Sequence, residues 1–169
     1  MENKIVTLRP FRPEDQRNML EILTSGKVNQ TYMLPDFEKQ EDAIPLFQRL
    51  SNLSQDPNRF VRCISLDDTA IGFMNDVEIK NGAIELGYVI HPDHHNRGYM
   101  TQALKLAISQ LFRRKFSSVI CGAFEQNKAS QRVMEKAGME RISLTEEIEY
   151  RNKVHLCVYY EKRNEEGSC

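Results

Sequence analysis

Apolar positions along this chain fall into two rhythms, every second residue or every third and fourth, and turn residues separate the runs. Ile5–Leu8 alternates as a short strand. Pro13-Glu14-Asp15 opens a helix, with proline early and acids in its first turn. Met19, Leu20 and Leu23 supply its apolar stripe, and Gly26 with the polar residues to Asn29 ends it. A second helix is predicted over Lys39 to Leu53, with Ala43, Leu46, Phe47 and Leu50 at helical spacing. Pro45 inside it requires a kink or a late start. Asp56-Pro57-Asn58 is a turn.

Three strands follow, Phe60–Leu66, Ala70–Ile79 and Ala83–Ile90, joined by hairpin turns at Asp67-Asp68 and Asn81-Gly82. In the third, Ile84, Leu86, Tyr88 and Ile90 share one face and Glu85, Gly87 and Val89 the other. From Met100 to Phe112 the apolar residues recur at three and four, predicting an amphipathic helix. Ser118–Ala123 is a strand, and Asn127–Ala137 a helix stopped at Gly138. Glu140–Ile148 and Val154–Glu161 form an antiparallel pair around Arg151-Asn152. The order β-α-α-β-β-β-α-β-α-β-β predicts an α+β fold: a mixed, mostly antiparallel sheet with helices on both faces. Without repeats or linkers, the chain reads as one domain over residues 1–163, with a polar tail at 164–169. The last strand, Val154–Glu161, could pair across a dimer, and monomer and homodimer both stay open.

Composition narrows the classes. At 169 residues, with 40% hydrophobic and 28% charged residues, the chain can bury a core without staples. A net charge of −1 gives no basic field to attract nucleic acid. No apolar run approaches the roughly 18 residues of a membrane span. The opening MENKIVTLRPF carries no signal-peptide core, because charge returns at Arg9 and Arg12. Cys63, Cys121, Cys157 and Cys169 stand apart with no Cys-x-x-Cys pair, which reads as free thiols in a reducing, cytoplasmic setting.

Candidate chemistry gathers around His91-Pro-Asp-His-His-Asn-Arg-Gly-Tyr-Met-Thr101, between a strand and a helix. A helix that starts directly after a strand offers free N–H groups and the positive end of its dipole. Gly98 lets the backbone approach a ligand, Arg97 adds charge, Thr101 adds a hydroxyl, and no acid occurs between Asp93 and Glu125. The pattern fits a pyrophosphate or similar dianion at the helix start, or else a turn in which Gly98 only satisfies geometry. Neither G-x-x-x-x-G-K-[ST] nor G-x-G-x-x-G is present, which excludes the P-loop and dinucleotide fingerprints.

The stretch "ELGYVIHPDHHNRGYMTQAL" resembles the acetyl-CoA loop of the GNAT N-acetyltransferase superfamily, in which hydrophobic-x-Pro leads into [Arg/Gln]-x-x-Gly-x-[Gly/Ala]. "AFEQNKASQRVMEKAGME" resembles that superfamily's Asn-x-x-Ser helix, and "IVTLRPFRPEDQRNML" its ribosomal-protein N-terminal acetyltransferase subgroup. The resemblance spans nearly the whole chain. It departs at His95, where the family has Arg or Gln, and at Met100, where it has a second small residue. It implies the GNAT fold, with a sheet splayed between its fourth and fifth strands, and acetyl-CoA as co-substrate with no metal. By position it implies that Val89 and Ile90 bind the pantetheine through their backbone. It implies that His95, Asn96, Arg97, Gly98, Tyr99, Met100 and Thr101 hold the pyrophosphate. Asn127 would bond the pantetheine, and Ser130 would stand near the sulfur and protonate the leaving thiolate.

Acetyl transfer to an amine needs a base, a polarised carbonyl and an acid for the thiolate. Glu85, on the strand leading to the loop, is the candidate base, directly or through water, and its carboxylate attracts a cationic amine. Its alternative is a cross-strand salt bridge with Arg62. A backbone N–H at the end of that strand would polarise the carbonyl. Asn127 and Ser130 could equally be helix-capping groups. His91, His94 and His95 lack the partners and fixed spacing of a metal site. Tyr150 and His155, on the last strand pair, are weak candidates for acceptor contacts, and Cys121 and Cys157 read as small core hydrophobes. The expected activity is acetyl transfer to a primary amine, on a protein N-terminus or a small molecule, by direct attack in a ternary complex. The alternative is a non-catalytic acyl-CoA-binding or interaction module.

Overall fold

The structure, a computed structural model, describes residues 4–167, so Cys169 lies outside the described residues. Seven strands are hydrogen-bonded in the order β1-β2-β3-β4-β5-β7-β6. They are β1 (Val6–Arg9), β2 (Val61–Leu66), β3 (Thr69–Lys80), β4 (Ala83–Ile90), β5 (Ser118–Phe124), β6 (Glu140–Tyr150) and β7 (Lys153–Arg163). The helices are α1 (Gln16–Leu23), α2 (Ile44–Ser54), α3 (Tyr99–Arg113) and α4 (Lys128–Lys136). No helix among the described residues is long and apolar enough to cross a membrane.

Each proline and turn signal acts where its stereochemistry dictates. Pro13 opens a 3-10 turn that runs into α1, and Pro45 falls in the first turn of α2, so that helix starts late and does not kink. The hairpin turns all use left-handed residues: Asp67 and Asp68 (φ 48° and 70°), Asn81 and Gly82 (52° and 79°), Arg151 and Asn152 (52° and 61°).

The described chain forms two compact units, one of the residues up to Asn75 with Tyr88–Tyr99, the other of Asp76–Gly87 with the residues from Met100 onward. In the first unit β1 pairs antiparallel with β2, and β2 with β3. Its core joins Met19, Ile22 and Leu23 of α1, Phe47 and Leu50 of α2, and Val61, Cys63 and Phe73 of the strands. A bidentate ion pair closes it: the Arg9 guanidinium donates to both Asp15 oxygens at 2.8 and 2.9 Å.

In the second unit Ala83–Leu86 pair parallel with Ser118–Cys121, and the register ends at Leu86 and Cys121, where the sequence resemblance places the splay. β5 pairs antiparallel with β7, and β7 with β6. β7 is bonded to β5 from Cys157 to Arg163 and to β6 on its other side, so most of Val154–Glu161 is already paired within the chain, and β6 is the outer strand. The α3 stripe of Met100, Ala103, Leu104, Ala107, Ile108 and Leu111 is buried, as its periodicity requires.

Candidate active site

Pairing places one row of side chains on a single face of the second unit. Glu85 is level with Ile120, Ile120 with Glu161, Gly122 with Tyr159, and Cys157 with Glu146. Residues two apart share a face, so Glu85, Ile120, Gly122, Cys157, Tyr159 and Glu146 lie together. The opposite face carries Ile84, Leu86, Val119, Cys121, Val158 and Tyr160, all buried.

Glu85 is half-buried, and its proton affinity is raised, first by burial and then by the negative charges of Glu146 and Glu78. A carboxylate tuned upward is a better proton acceptor near neutral pH. Arg62, the alternative ion-pair partner, instead donates to the Ser54 and Val61 carbonyls and lies 5.0 Å over the Phe60 ring. Glu146 accepts a 2.9 Å hydrogen bond from the Tyr159 hydroxyl. The Tyr159 ring lies against the bare backbone of Gly122, where an added Cβ would stand 2.7 Å from Cε1. Sequence reasoning missed Glu146, Tyr159 and Gly122.

Asn127 caps α4, its Oδ1 accepting from the Ser130 N–H at 3.2 Å. The capping alternative is therefore real for Asn127, yet its Nδ2 makes no hydrogen bond among the described residues and stays available to a ligand carbonyl.

In the first unit, a 3-10 turn at Pro92–His94 follows β4, and Asn96 (φ 60°) and Gly98 (φ 80°) take left-handed conformations before α3 begins at Tyr99. The N–H groups of Asn96, Arg97 and Gly98 make no hydrogen bond of normal geometry with another described residue. A Cβ at Gly98 would meet nothing within 4 Å, and the first turn of α3 holds no acid. Open backbone donors beside Arg97, Tyr99, Met100 and Thr101, without a competing carboxylate in the helix, fit an anionic phosphate group. The His95 side chain turns back, its Nε2 3.1 Å from the Ile90 carbonyl. The Val89 carbonyl rests against the Cα of Gly72, and Val89 and Ile90 are both buried. Both faces are therefore covered at the end of β4.

The remaining candidates have other partners. His155 stacks on Phe124 at 4.4 Å and 16°, with Nδ1 on Gln126 and Nε2 on the Tyr150 carbonyl. Tyr150 lies 6.2 Å from both rings. His91 Nδ1 accepts from the Asp93 N–H, and no group of His, Cys, Asp and Glu among the described residues is placed to hold a metal ion. Cys63, Cys121 and Cys157 are buried free thiols; burial pushes Cys63 up to about 12, and raises Cys121 together with the charge of Glu85. All are poor nucleophiles.

A family model described as the acetyltransferase (GNAT) domain matches residues 6–140. The uncharacterized N-acetyltransferase YoaA of Bacillus subtilis (strain 168) is 25% identical over 158 residues, covering 90% of this chain and 89% of that protein. The crystal structure of a GNAT-family acetyltransferase from Bacillus anthracis superposes with a TM-score of 0.81 at 21% identity, covering 98% of each chain. A structure of RimL, a ribosomal L7/L12 alpha-N-protein acetyltransferase in complex with coenzyme A, gives a TM-score of 0.82 at 19% identity, covering 94% of this chain and 93% of that one.

Proposed function

This chain belongs to the acetyltransferase (GNAT) family, and from that premise we propose that it moves an acetyl group from acetyl-CoA to a primary amine by direct attack in a ternary complex. The observation that carries the reading is Glu85: a half-buried carboxylate made more basic by its surroundings, on the strand that runs into the anion-binding loop. The segment His95–Thr101 takes the pyrophosphate through its backbone N–H groups, and Asn127 gives an Nδ2 hydrogen to a pantetheine carbonyl. Backbone groups of Val89 and Ile90 line the same arm, with the His95 ring moving off the Ile90 carbonyl where that oxygen is used.

The substrate ammonium is drawn by the carboxylates of Glu85 and Glu146, and Glu85 takes its proton directly or through one water. The freed lone pair attacks the thioester carbon, the carbon–sulfur bond breaks, and Ser130 gives its hydroxyl proton to the departing thiolate. The proton that the attacking nitrogen sheds on forming the amide makes good, through solvent, the one Ser130 gave, and Glu85 returns its own proton to solvent, so the reaction releases one proton overall. Tyr159 keeps Glu146 oriented along the same face.

The acceptor is either a protein N-terminus, as the name of RimL supports, or a small amine. Calorimetric titration with acetyl-CoA, run beside a thiol-release assay over N-terminal peptides, polyamines and amino acids, tests the reading. Binding with thiol release on one class of amine supports it and names the acceptor. Binding with no release on any amine favours an acyl-CoA-binding module, and absence of binding refutes the coenzyme assignment.

A further inference from the structure

One polar side chain in the second unit has no place in a simple amphipathic pattern. Gln131 sits one turn into α4 and is 6% exposed, beside fully buried Met134. A buried amide is costly unless its hydrogen bonds are made, and a helix already capped by Asn127 has no need of one there. Gln131 makes them all at one place. Its Nε2 faces the Glu125 carbonyl at 2.8 Å, that of Asn127 at 3.3 Å and that of Phe124 at 3.4 Å. Its Oε1 accepts from the Tyr160 hydroxyl at 3.3 Å, a proton shared with Glu135 Oε1 at 3.2 Å.

The three carbonyls belong to the turn that leads from β5 into α4, and the Tyr160 bond fixes which end of the amide faces them. Asn127 is thereby held at every other polar atom: its N–H donates to Phe124, its carbonyl accepts from Gln131, and its Oδ1 accepts from Ser130. Only Nδ2 is left over.

We infer that Gln131, braced by Tyr160, is the positioning residue that sets the β5–α4 turn so that the Asn127 amide and the Ser130 hydroxyl meet the coenzyme. This rests on the coenzyme roles proposed above for those two residues. Gln131 touches no substrate and acts through the turn. Tyr160 acts through Gln131, so the two belong to one unit and their effects do not add.

The test compares wild type, Gln131→Met, Tyr160→Phe and the double variant by calorimetry with acetyl-CoA, steady-state kinetics and thermal melts. Gln131→Met keeps the volume and removes the hydrogen bonds. The expected result is a rise of about tenfold in Kd and KM for acetyl-CoA, the loss of one to two net hydrogen bonds, with acceptor KM within about twofold. Tyr160→Phe raises the same quantities about threefold, and the double variant is no worse than Gln131→Met. A folded Gln131→Met whose melt is lowered but whose acetyl-CoA Kd and KM are unchanged overturns the inference, since a purely structural brace would do that. Should Gln131→Met not fold, Tyr160→Phe decides alone, and an unchanged acetyl-CoA Kd there is equally fatal. The wild-type titration separates the two claims: no binding refutes the coenzyme reading itself, whereas binding with unchanged variants refutes only the role of Gln131.

Discussion

Replacing Gly122 with alanine tests whether the face carrying Glu85 is a close-fitted surface. The new methyl would stand 2.7 Å from Tyr159 Cε1, 3.1 Å from Cδ1 and 3.2 Å from Cys157 Sγ, where ordinary contact begins at 3.4 Å. The ring must therefore retreat by about 0.7 Å, a shift set by the difference between those distances. Its hydroxyl is 2.9 Å from Glu146 Oε2, so a retreat of that size weakens a hydrogen bond to a charged group. Overpacking costs about 1–3 kcal/mol, and a bond of this kind contributes about 1.5–3 kcal/mol. A total near 3 kcal/mol is expected, or a fall of about 6–12 °C in Tm for a chain of this size. Urea denaturation and thermal melts measure the stability, and thiol release measures kcat/KM, expected to drop about tenfold while acetyl-CoA binding holds. In a Tyr159→Ala background the same substitution should cost under about 1 kcal/mol, because the obstructing ring is gone and only the 3.2 Å approach to Cys157 Sγ remains to be relieved. If Gly122→Ala is as stable as wild type with Tyr159 present, the packing argument is wrong.

Three further substitutions separate roles that overlap at the same residues. Asn127→Asp keeps an oxygen for the Ser130 N–H but loses the Nδ2 donor, so the melt should stay within about 1 °C while acetyl-CoA affinity falls about fivefold; an unchanged Kd would leave Asn127 a cap only. The acidic limb of kcat/KM should lie above the ordinary carboxylate range, because Glu85 must be ionised to act as base and its pKa is raised. Burial is the main cause of that rise, and Glu146→Gln, which removes one of the negative charges that add to it, should move that limb to lower pH; a limb that stays put would show that the Glu146 charge does not tune the titrating group. Burial alone would raise the Asp15 carboxyl, but the Arg9 guanidinium and the Arg12 N–H outweigh it and hold its pKa below the usual value. A depressed folded pKa means stability present above about pH 4 and lost as pH falls through the lower folded value. Asp15→Asn should accordingly cost about 3 kcal/mol at pH 7 and flatten the acid limb of stability, as read by urea titration at several pH values.

Local signals carried the fold because each was decided within a few residues. Pro45, Gly138, Asn81-Gly82 and the α3 stripe fix starts, stops and faces by stereochemistry alone, and the strand beginning at Ala83 and ending at Ile90 is found with those limits. Glu85 was a candidate from its place on the strand before the loop and Asn127 from the resemblance to the Asn-x-x-Ser helix; the structure has the first half-buried and the second capping α4. Glu146 and Tyr159 were not. The run Ser143–Tyr150 has Glu146 and Glu147 side by side, and a register shift between Arg141 and Thr145 decides which of them lies opposite Cys157. Pairing across β5, β7 and β6 is long-range information that no window of sequence contains. The end of β4 shows the converse limit: alternation assigns Ile90 and Val89 to opposite faces but does not tell that both faces are covered there, with Gly72 letting the backbone close in. Gln131 gave no signal in the sequence, because the partners of its amide nitrogen are backbone carbonyls, which have no signature of their own.

The most direct trial of the account is titration of acetyl-CoA into wild type and Glu85→Gln, followed by thiol release with the best amine of the panel. The account predicts acetyl-CoA affinities within about twofold of each other, and release that falls by about a hundredfold or more in the variant, as expected when a positioned base is removed. Equal turnover by the two proteins would contradict it, and would take the base away from Glu85.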